Sequence, residues 1–334
     1  MVFKRFASVV VAVSLVAVAA IAAPLAAPRV TSHAAVPSSL GVARSMAALE
    51  AVVDTPGPIV VETVVGADWE VPRSGLINLK DSKAREAKLV DGPEPIVIAL
   101  HAIHHPTAGL YLIDTGVEHS LRDDPKHAAL SGVVASVMGA DKIRVRIDTA
   151  SFLASQKEPV KGVLLTHLHP DHVSGMRDVP NDALIYTGPG ESAEKHLTNF
   201  LVRSVTDAAL EGKGALHEWP MTRGGDGMLD GVVDVFGDGS LWALPVPGHT
   251  DGSTAYLART PNGPVLFTGD ASHTIWGWDH DVEPGTFSSD LVQGRASLEK
   301  LRALVARHPQ IEVRVGHQIR DTKTMLVEAG PALP

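Results

Sequence analysis

Short runs of apolar residues, each closed by turn-forming residues, follow one another along the chain from about Ile59 onward. Short apolar runs bounded by Gly, Pro, Asn or Asp are typical of β-strands. His104-His105-Pro106 and Pro261-Asn262-Gly263-Pro264 each separate two such runs, and each predicts a hairpin. The predicted strands are Ile96–Leu100, Leu110–Ile113, Val160–Leu165, Leu241–Val246, Thr254–Ala258, Val265–Thr268 and Ile311–Val315.

Helical periodicity is clearest over about Asp290–Arg307. One face of this stretch is apolar and the opposite face is charged. The apolar face consists of Leu291, Leu298, Leu301, Leu304 and Val305. Mixed strands with interleaved helices predict an α/β (α+β) fold of two sheets covered by helices. Because composition does not shift after residue 58, we expect one domain over residues 59–334.

The first 22 residues have the pattern of a secretory signal peptide. Lys4 and Arg5 precede a charge-free apolar run that Pro24 ends, and Ala20-Ile21-Ala22 is a small-residue cleavage site. The alternative is an uncleaved membrane anchor, because the run is near the ~18-residue lower limit for a span. Residues 23–58 are rich in Ala, Pro and Ser and predict a poorly ordered linker. We therefore expect a protein exported to the periplasm, cell envelope or extracellular space.

Charge and composition exclude several partners and chemistries. The formal net charge is −9 with no Lys/Arg cluster, whereas a nucleic-acid binder carries a basic patch. The chain has no cysteine, which excludes disulfides, thiolate nucleophiles and Cys metal ligands. Any metal site must therefore use His, Asp or Glu. We expect a small-molecule substrate and membrane contact only through an uncleaved N-terminus; nothing in the sequence indicates the oligomeric state.

The strongest chemical signal is Thr166-His167-Leu168-His169-Pro170-Asp171-His172, directly after the predicted strand Val160–Leu165. Alternate histidines on an extended loop can point the same way. Asp171 and His172 fall where a helix would begin. This loop places imidazoles and a carboxylate in one small volume, as zinc prefers. A polar turn with accidental histidines is the alternative, and four specified positions make it rare.

Three later segments also place a ligand-type residue after a strand. They are Pro247-Gly248-His249, Thr268-Gly269-Asp270 and Val315-Gly316-His317. In each, the glycine lets the backbone turn sharply beside the side chain. Each segment alone is weak, because a single His or Asp after a strand is more often a turn residue. Together they predict a site at the ends of successive strands.

These residues resemble the metallo-β-lactamase superfamily from about Val60 to the C-terminus, and the His-x-His-x-Asp-His motif is highly specific. The resemblance implies an αββα sandwich with two Zn²⁺ per chain, other divalent metals being the alternative. One zinc would bind His167, His169 and His249. The other would bind Asp171, His172 and His317. Asp270 would bridge the two metals, and Asp114 would orient ligands from one shell further out.

Within the superfamily, Gly269-Asp270-Ala271-Ser272-His273-Thr274 looks most like the N-acyl-homoserine lactonases, which have Tyr where this chain has His273. The resemblance implies that a hydroxide shared by two zinc ions attacks a lactone or other carboxylic ester. Asp171 would be both ligand and proton shuttle. His273 would donate a hydrogen bond or proton to the reacting oxygens, or would only form the pocket wall. Trp276 and Trp278 could form an apolar substrate wall, but core packing is the more common fate of large aromatic residues.

Two other functions stay open at this stage. A glyoxalase-II-like thioesterase would need a basic patch for a glutathione carboxylate, and the sequence shows no convincing one. A non-catalytic metal-binding protein of the cell envelope would not need both ligand sets and a bridging Asp270. The sequence therefore favours a dinuclear zinc hydrolase.

Overall fold

Strands and helices alternate through residues 27–221 and 231–320, which are the part of the chain that the computed structural model describes. The predicted signal peptide lies outside these residues. The strands are β1 Ala35–Pro37, β2 Val42–Arg44, β3 Val60–Pro72, β4 Pro93–His105, β5 Gly109–Ile113, β6 Arg144–Val145, β7 Val160–Leu164, β8 Leu184–Thr187, β9 Leu216–Glu218, β10 Val232–Asp234, β11 Leu241–Pro245, β12 Thr254–Thr260, β13 Gly263–Phe267 and β14 Glu312–Arg314. The α-helices are α1 Met46–Glu50, α2 Arg73–Leu76, α3 Ser82–Glu86, α4 Ser120–Asp123, α5 Gly132–Met138, α6 Thr149–Ser155, α7 Pro170–Val173, α8 Asn199–Ala209, α9 Ile275–His280 and α10 Leu291–Arg307.

The strands form two mixed sheets. The first has eight strands in the order β1-β9-β8-β7-β5-β4-β3-β6, and the second has six in the order β14-β13-β12-β11-β10-β2. In the first sheet the pairs β5–β7, β7–β8, β8–β9 and β9–β1 are parallel. The pairs β4–β5, β3–β4 and β3–β6 are antiparallel. In the second sheet the β13–β14 pair is parallel, and the other pairs are antiparallel. The β5 and β7 strands therefore end at the same edge of the first sheet.

The core lies in three layers, because alternate residues of a strand point to opposite faces of its sheet. In β5, Tyr111 and Ile113 face the second sheet and pack with Tyr256 and Phe267. Leu110 and Leu112 face outward, into the core under α6 and α8. On the far side, the outer face of the second sheet packs against the leucines of α10. This is the predicted αββα sandwich.

The local predictions of turns and of the long helix are mostly confirmed. β12 and β13 form a hairpin across Pro261-Asn262, in which Thr260 pairs with Gly263. α10 begins after Asp290, whose side chain accepts hydrogen bonds from two backbone amides of the first turn. The turn predicted at His104-His105-Pro106 is misplaced by two residues. Strand β4 continues to His105, which pairs with Gly109 at the start of β5. Among the described residues, no helix has the length and apolarity needed to cross a membrane.

The prediction that residues 23–58 are a poorly ordered linker is wrong for the described part, residues 27–58. β1 adds a parallel strand to β9 in the first sheet, and β2 adds an antiparallel strand to β10 in the second. Val30, Leu49 and Val53 are fully buried in the core. This segment belongs to the fold because its pairing and burial are made with residues far along the chain.

Candidate metal centre

The predicted ligand motif begins where β7 ends, near the middle of the first sheet. Between β7 and α7 the chain forms no helix or strand and bends at Thr166 and at His169, whose φ and ψ are −70° and 154°. Pro170 then occupies the first turn of α7, where its fixed φ and missing N–H are favourable. His167 and His169 therefore project from this loop, while Asp171 and His172 project from the first turn of the helix.

Three strands of the second sheet end beside this motif and deliver the other predicted ligands. His249 follows β11, Asp270 follows β13 and His317 follows β14. The glycine before His249 has a φ of 134°, and a Cβ on it would lie 2.1 Å from a backbone nitrogen of α10. A Cβ on Gly316 would lie 2.4 Å from Oδ1 of Asp270. Glycine is therefore required at both positions for the ligand loops to come together.

The structure brings six of the seven predicted ligands together in two groups that could each hold a metal ion, and the seventh, Asp270, lies next to both. His167, His169 and His249 form one group, and Asp171, His172 and His317 form the other. In the first group, Nε2 of His249 lies 2.8 Å from Nδ1 of His169 and 3.1 Å from Nε2 of His167. In the second group, Nε2 of His317 lies 3.4 Å from Oδ2 of Asp171. These groups match the two predicted ligand sets.

Asp270 lies between the two groups and contacts both. Its Oδ2 is 3.3 Å from Nε2 of His249 and 3.6 Å from Nε2 of His167, both in the first group. The same oxygen is 3.4 Å from Nε2 of His172, and Oδ1 is 3.3 Å from Nε2 of His317, both in the second group. This is the position that the predicted bridging carboxylate requires.

The unpartnered atoms at the centre of the site fit divalent metal ions. Nε2 of His172, Nε2 of His273 and Oδ1 of Asp270 are buried and have no hydrogen-bond partner among the described residues. Leaving such a group unpaired costs about 1–3 kcal/mol, more when it is charged. The donor set consists of imidazole nitrogens and carboxylate oxygens, which suits zinc. The residues present therefore fit the implied metal pair.

Hydrogen bonds from outside the site fix the orientation of most of these imidazoles. Nδ1 of His317 donates to the Val97 carbonyl at 3.0 Å, which leaves its Nε2 free to face the site. Nδ1 of His249 lies 3.1 Å from Oγ of Ser288. His169 is turned the other way, since its Nδ1 faces His249. Outer partners of this kind orient metal-binding imidazoles and set their tautomers.

Asp114 makes such a contact with His172, as its predicted orienting role requires. It follows β5 with a φ of 54°, a conformation that Asp adopts more readily than most residues. Its carboxylate accepts from the Thr166 amide at 2.8 Å, from Oγ1 of Thr166 at 2.9 Å and from Nδ1 of His172 at 2.7 Å. The carboxylate thus holds the start of the ligand loop and one ligand at once.

Burial and neighbouring charges shift the pKa values of the histidines in the two groups in opposite directions. Burial lowers the pKa of His169 to about 4 and the pKa values of His167 and His249 well below their ordinary value, so these imidazoles are neutral. Burial also acts on His317, but the Asp270 and Asp171 carboxylates outweigh it and raise its pKa to about 8. Asp270 itself keeps a strongly lowered pKa despite burial, because His317 and other imidazoles surround it. Metal binding would replace the protons of the second group.

His273 points into the site, as its predicted catalytic role requires. Its Nδ1 donates to the Leu76 carbonyl at 3.1 Å, and its Nε2 lies 3.1 Å from Oδ2 of Asp270. With His249 and Asp270 it forms a further group that could hold a metal ion, which the sequence did not predict. When His273 is neutral, its Nε2 carries the lone pair, so His273 can donate to a substrate only in its protonated form.

The two tryptophans after His273 have different surroundings. Trp278 is buried in the core between the second sheet and α10, where Arg302 lies 5.6 Å above its ring. Core packing, the favoured interpretation, is therefore confirmed for Trp278, which lies on the inner face of α9, and the substrate-wall interpretation is wrong for this residue. Trp276 is partly buried and stacks on His280. Its role as a substrate wall stays a prediction.

Sequence reasoning missed two buried glutamates near the site, Glu191, which contacts the ligand loops, and Glu194. Glu191 follows β8 and accepts hydrogen bonds from the amides of Leu168 and Gly252. Oε1 of Glu194 accepts from Oγ of Ser289 at 2.5 Å. Burial raises the pKa of Glu191 to about 7; burial and the Glu191 carboxylate raise that of Glu194 to about 8. The only available signal was Glu191's position after a strand, in Gly-Pro-Gly-Glu.

Known proteins resemble this chain in sequence and in fold. A sequence model of the metallo-beta-lactamase superfamily matches residues 102–317. An N-acyl homoserine lactonase, AttM, from Agrobacterium fabrum is 29% identical over 238 residues, covering 66% of this chain and 82% of that protein. A gamma-lactamase from Gibberella moniliformis is 32% identical over 152 residues, covering 42% and 63%. A crystal structure of a B. thuringiensis AiiA mutant with N-decanoyl-L-homoserine bound superposes with a TM-score of 0.55 at 18% identity, covering 79% of this chain and 95% of that one.

Proposed function

This chain belongs to the metallo-β-lactamase superfamily and is a metal-dependent hydrolase, and we propose that it opens lactones, with N-acyl-homoserine lactones as the substrate class. The observation that carries this proposal is the pair of three-residue groups joined by Asp270. The AttM similarity and the AiiA fold similarity support the choice of substrate. We propose two zinc ions as the metals, because the site offers only nitrogen and oxygen donors and is rich in imidazole.

Two divalent ions at such a site lower the pKa of water toward neutrality and polarise a carbonyl oxygen. The chain's own residues hold the site in place and handle protons. Asp270 provides a buried negative charge that would offset part of the charge of two bound cations. Asp171 has the most exposed side chain among the carboxylates of the site, at 17%, which suits proton exchange with solvent or substrate.

His273 would act at Nε2, the nitrogen that faces the site. Because Nδ1 is committed to the Leu76 carbonyl, a proton on Nε2 makes the ring an imidazolium. That proton can be donated to the developing oxyanion or to the leaving alkoxide, and the neutral ring that remains can take up another. Tyr in the lactonase branch offers a neutral donor at this position, so the two side chains share a direction of hydrogen bonding but differ in charge.

The test is a hydrolysis panel with zinc-loaded protein on N-acyl-homoserine lactones, aryl esters, thioesters, β-lactams and phosphodiesters. We expect the highest kcat/KM on a lactone, measured by the proton released on ring opening. The metal-free protein and Asp270→Asn serve as controls and should be inactive on every substrate. A thioester preference, with lactones untouched, would replace the proposed function by that of a thioesterase.

We also propose that the chain is exported and cleaved after Ala22. The first hydrogen bond of the described N-terminal segment runs from Nδ2 of Asn199 to the Pro28 carbonyl at 3.2 Å, so cleavage after Ala22 would remove none of the described contacts. N-terminal sequencing of protein from the native host should find Ala23 first. An intact Met1 on membrane-extracted protein would instead support an anchor.

A further inference from the structure

Glu191 is a fully buried carboxylate whose two oxygens face three donors. Its Oε1 accepts from the Leu168 amide at 2.8 Å. Its Oε2 accepts from Oγ1 of Thr250 at 2.7 Å and from the Gly252 amide at 3.0 Å. The packing is tight, because a Cβ on Gly252 would lie 2.5 Å from Cβ of Glu191. Burying a charge is costly unless it is paired or hydrogen-bonded, so an alignment of three donors indicates a specific role for this carboxylate.

The donors belong to the two segments that supply one complete metal-binding group. Leu168 lies between His167 and His169, and Thr250 directly follows His249. The backbone of Leu168 is held at both of its polar groups. Its amide donates to Glu191, and its carbonyl accepts from Oγ1 of Thr206 at 3.1 Å. Glu191 thus joins a loop of the first sheet to a loop of the second, at the point where all three imidazoles converge.

The other group, Asp171–His172–His317, has its own supports. Asp114 holds His172, and the Val97 carbonyl holds His317. None of the hydrogen bonds of Glu191 described above reaches either support. A change at Glu191 should therefore act on one metal position much more than on the other.

We propose that Glu191 is a positioning residue that sets the geometry of the His167–His169–His249 metal position and not that of its neighbour. This inference rests on the proposed function, because it requires two metal positions. Glutamine cannot replace the carboxylate fully: its single acceptor oxygen can serve one segment, and its NH₂ group then faces an N–H or O–H donor of the other.

The experiment measures zinc content at defined free zinc, by dialysis and elemental analysis, for wild type, Glu191→Gln and Asp234→Asn. Asp234 is the matched control: it is a buried carboxylate that accepts from the Gly237 and Gly239 amides, before β11, at the strand end opposite His249. We expect the affinity for one of the two ions to fall about 10–100-fold in Glu191→Gln, as for other outer partners of metal ligands. The second ion, and both ions in Asp234→Asn, should change less than about threefold.

Combining Glu191→Gln with a second substitution identifies which metal position is affected. In His169→Ala, the first position is already damaged, so adding Glu191→Gln should leave the affinity of the remaining ion unchanged. If Glu191→Gln does not fold, Thr250→Val removes one donor from the same carboxylate and should give a smaller loss confined to the same ion.

The outcomes separate this inference from the proposed function. Wild type that saturates with one ion would refute the dinuclear proposal itself. Wild type that binds two ions, with Glu191→Gln and Thr250→Val binding both as tightly, would refute only the role of Glu191. Equal weakening of both ions would also refute it, since a general structural role has no reason to select one position.

Discussion

Replacing Asp114 by Asn tests how much the support of one ligand contributes to activity. The side chains have nearly the same shape, but Asn offers one acceptor oxygen where the carboxylate offers two. In the structure the carboxylate serves the Thr166 amide, Oγ1 of Thr166 and Nδ1 of His172. If the Asn oxygen stays on the Thr166 amide, the NH₂ group faces Nδ1 of His172, which loses the acceptor that fixes its tautomer. If the oxygen turns to His172, the Thr166 amide loses its acceptor, and in both cases His172 loses a charged partner.

The size of the effect follows from the hydrogen bond to His172, which is 2.7 Å long and buried. A hydrogen bond to a charged group contributes about 1.5–3 kcal/mol. At about 1.4 kcal/mol for each factor of ten, this corresponds to a loss of roughly 10–150-fold. The range agrees with the ~10–100-fold measured for outer partners of metal ligands.

The assay is kcat/KM for a lactone at saturating zinc, together with zinc content at limiting zinc. Asp270→Asn is the comparison, and it should lose far more activity because Asp270 contacts both ligand groups while Asp114 contacts one ligand. Equal losses in the two variants would refute the bridging position of Asp270. Full activity and metal affinity in Asp114→Asn would refute the orienting role of Asp114.

Three further predictions concern the metals, His273 and Glu194. Purified protein should hold about two zinc ions per chain and lose its hydrolytic activity when a chelator removes them, with recovery on adding zinc. His273→Phe should keep both ions but lose about ten- to a thousandfold in turnover, as expected for losing an oxyanion donor or general acid, while His273→Tyr retains substantial activity. The pKa of Glu194 is raised to about 8, so the folded protein keeps a proton that the unfolded chain releases near pH 4.5. The free energy of unfolding should therefore fall as the pH rises from about 4.5 to about 8, and it should fall less steeply in Glu194→Gln.

Elemental analysis, steady-state kinetics and denaturant unfolding of the metal-free protein at several pH values check these three predictions. One ion at saturation with full activity would contradict the first. Loss of metal from His273→Phe would identify His273 as a ligand, and unchanged turnover would leave it only a wall residue. Parallel pH profiles of unfolding in wild type and Glu194→Gln would contradict the buried, protonated state of Glu194.

The ligand set could be predicted from the sequence because its signals are local. Four of the seven ligands lie within six consecutive residues, His167 to His172, and the other three each follow a glycine after a strand. The hairpin at Pro261-Asn262 and the helix after Asp290 are also local, since turn residues and an N-cap mark their boundaries.

The missed features depend on contacts between distant parts of the chain. Glu191 is one glutamate in a loop, and its three donors come from residues far from it in sequence. The different surroundings of Trp276 and Trp278 depend on the direction in which α9 lies on the second sheet, which no spacing predicts. The strand pairs of residues 27–58 are three residues long, too short for a period of two to be recognised in composition rich in Ala and Pro.

The position of β1 and β2 has a consequence for the order of folding. Each must wait during synthesis for a partner strand made about 180 (β1) or 190 (β2) residues later, so their contacts have a very high sequence separation. Closing such long loops is slow, and the earliest segment to be made should be among the last to become protected from hydrogen exchange. Until then β9 and β10 present bare strand edges, which pair readily with other chains. A variant that begins at residue 59 would keep every predicted metal ligand and yet expose these edges permanently. We therefore expect aggregation, rather than loss of hydrolytic activity, to be its first defect.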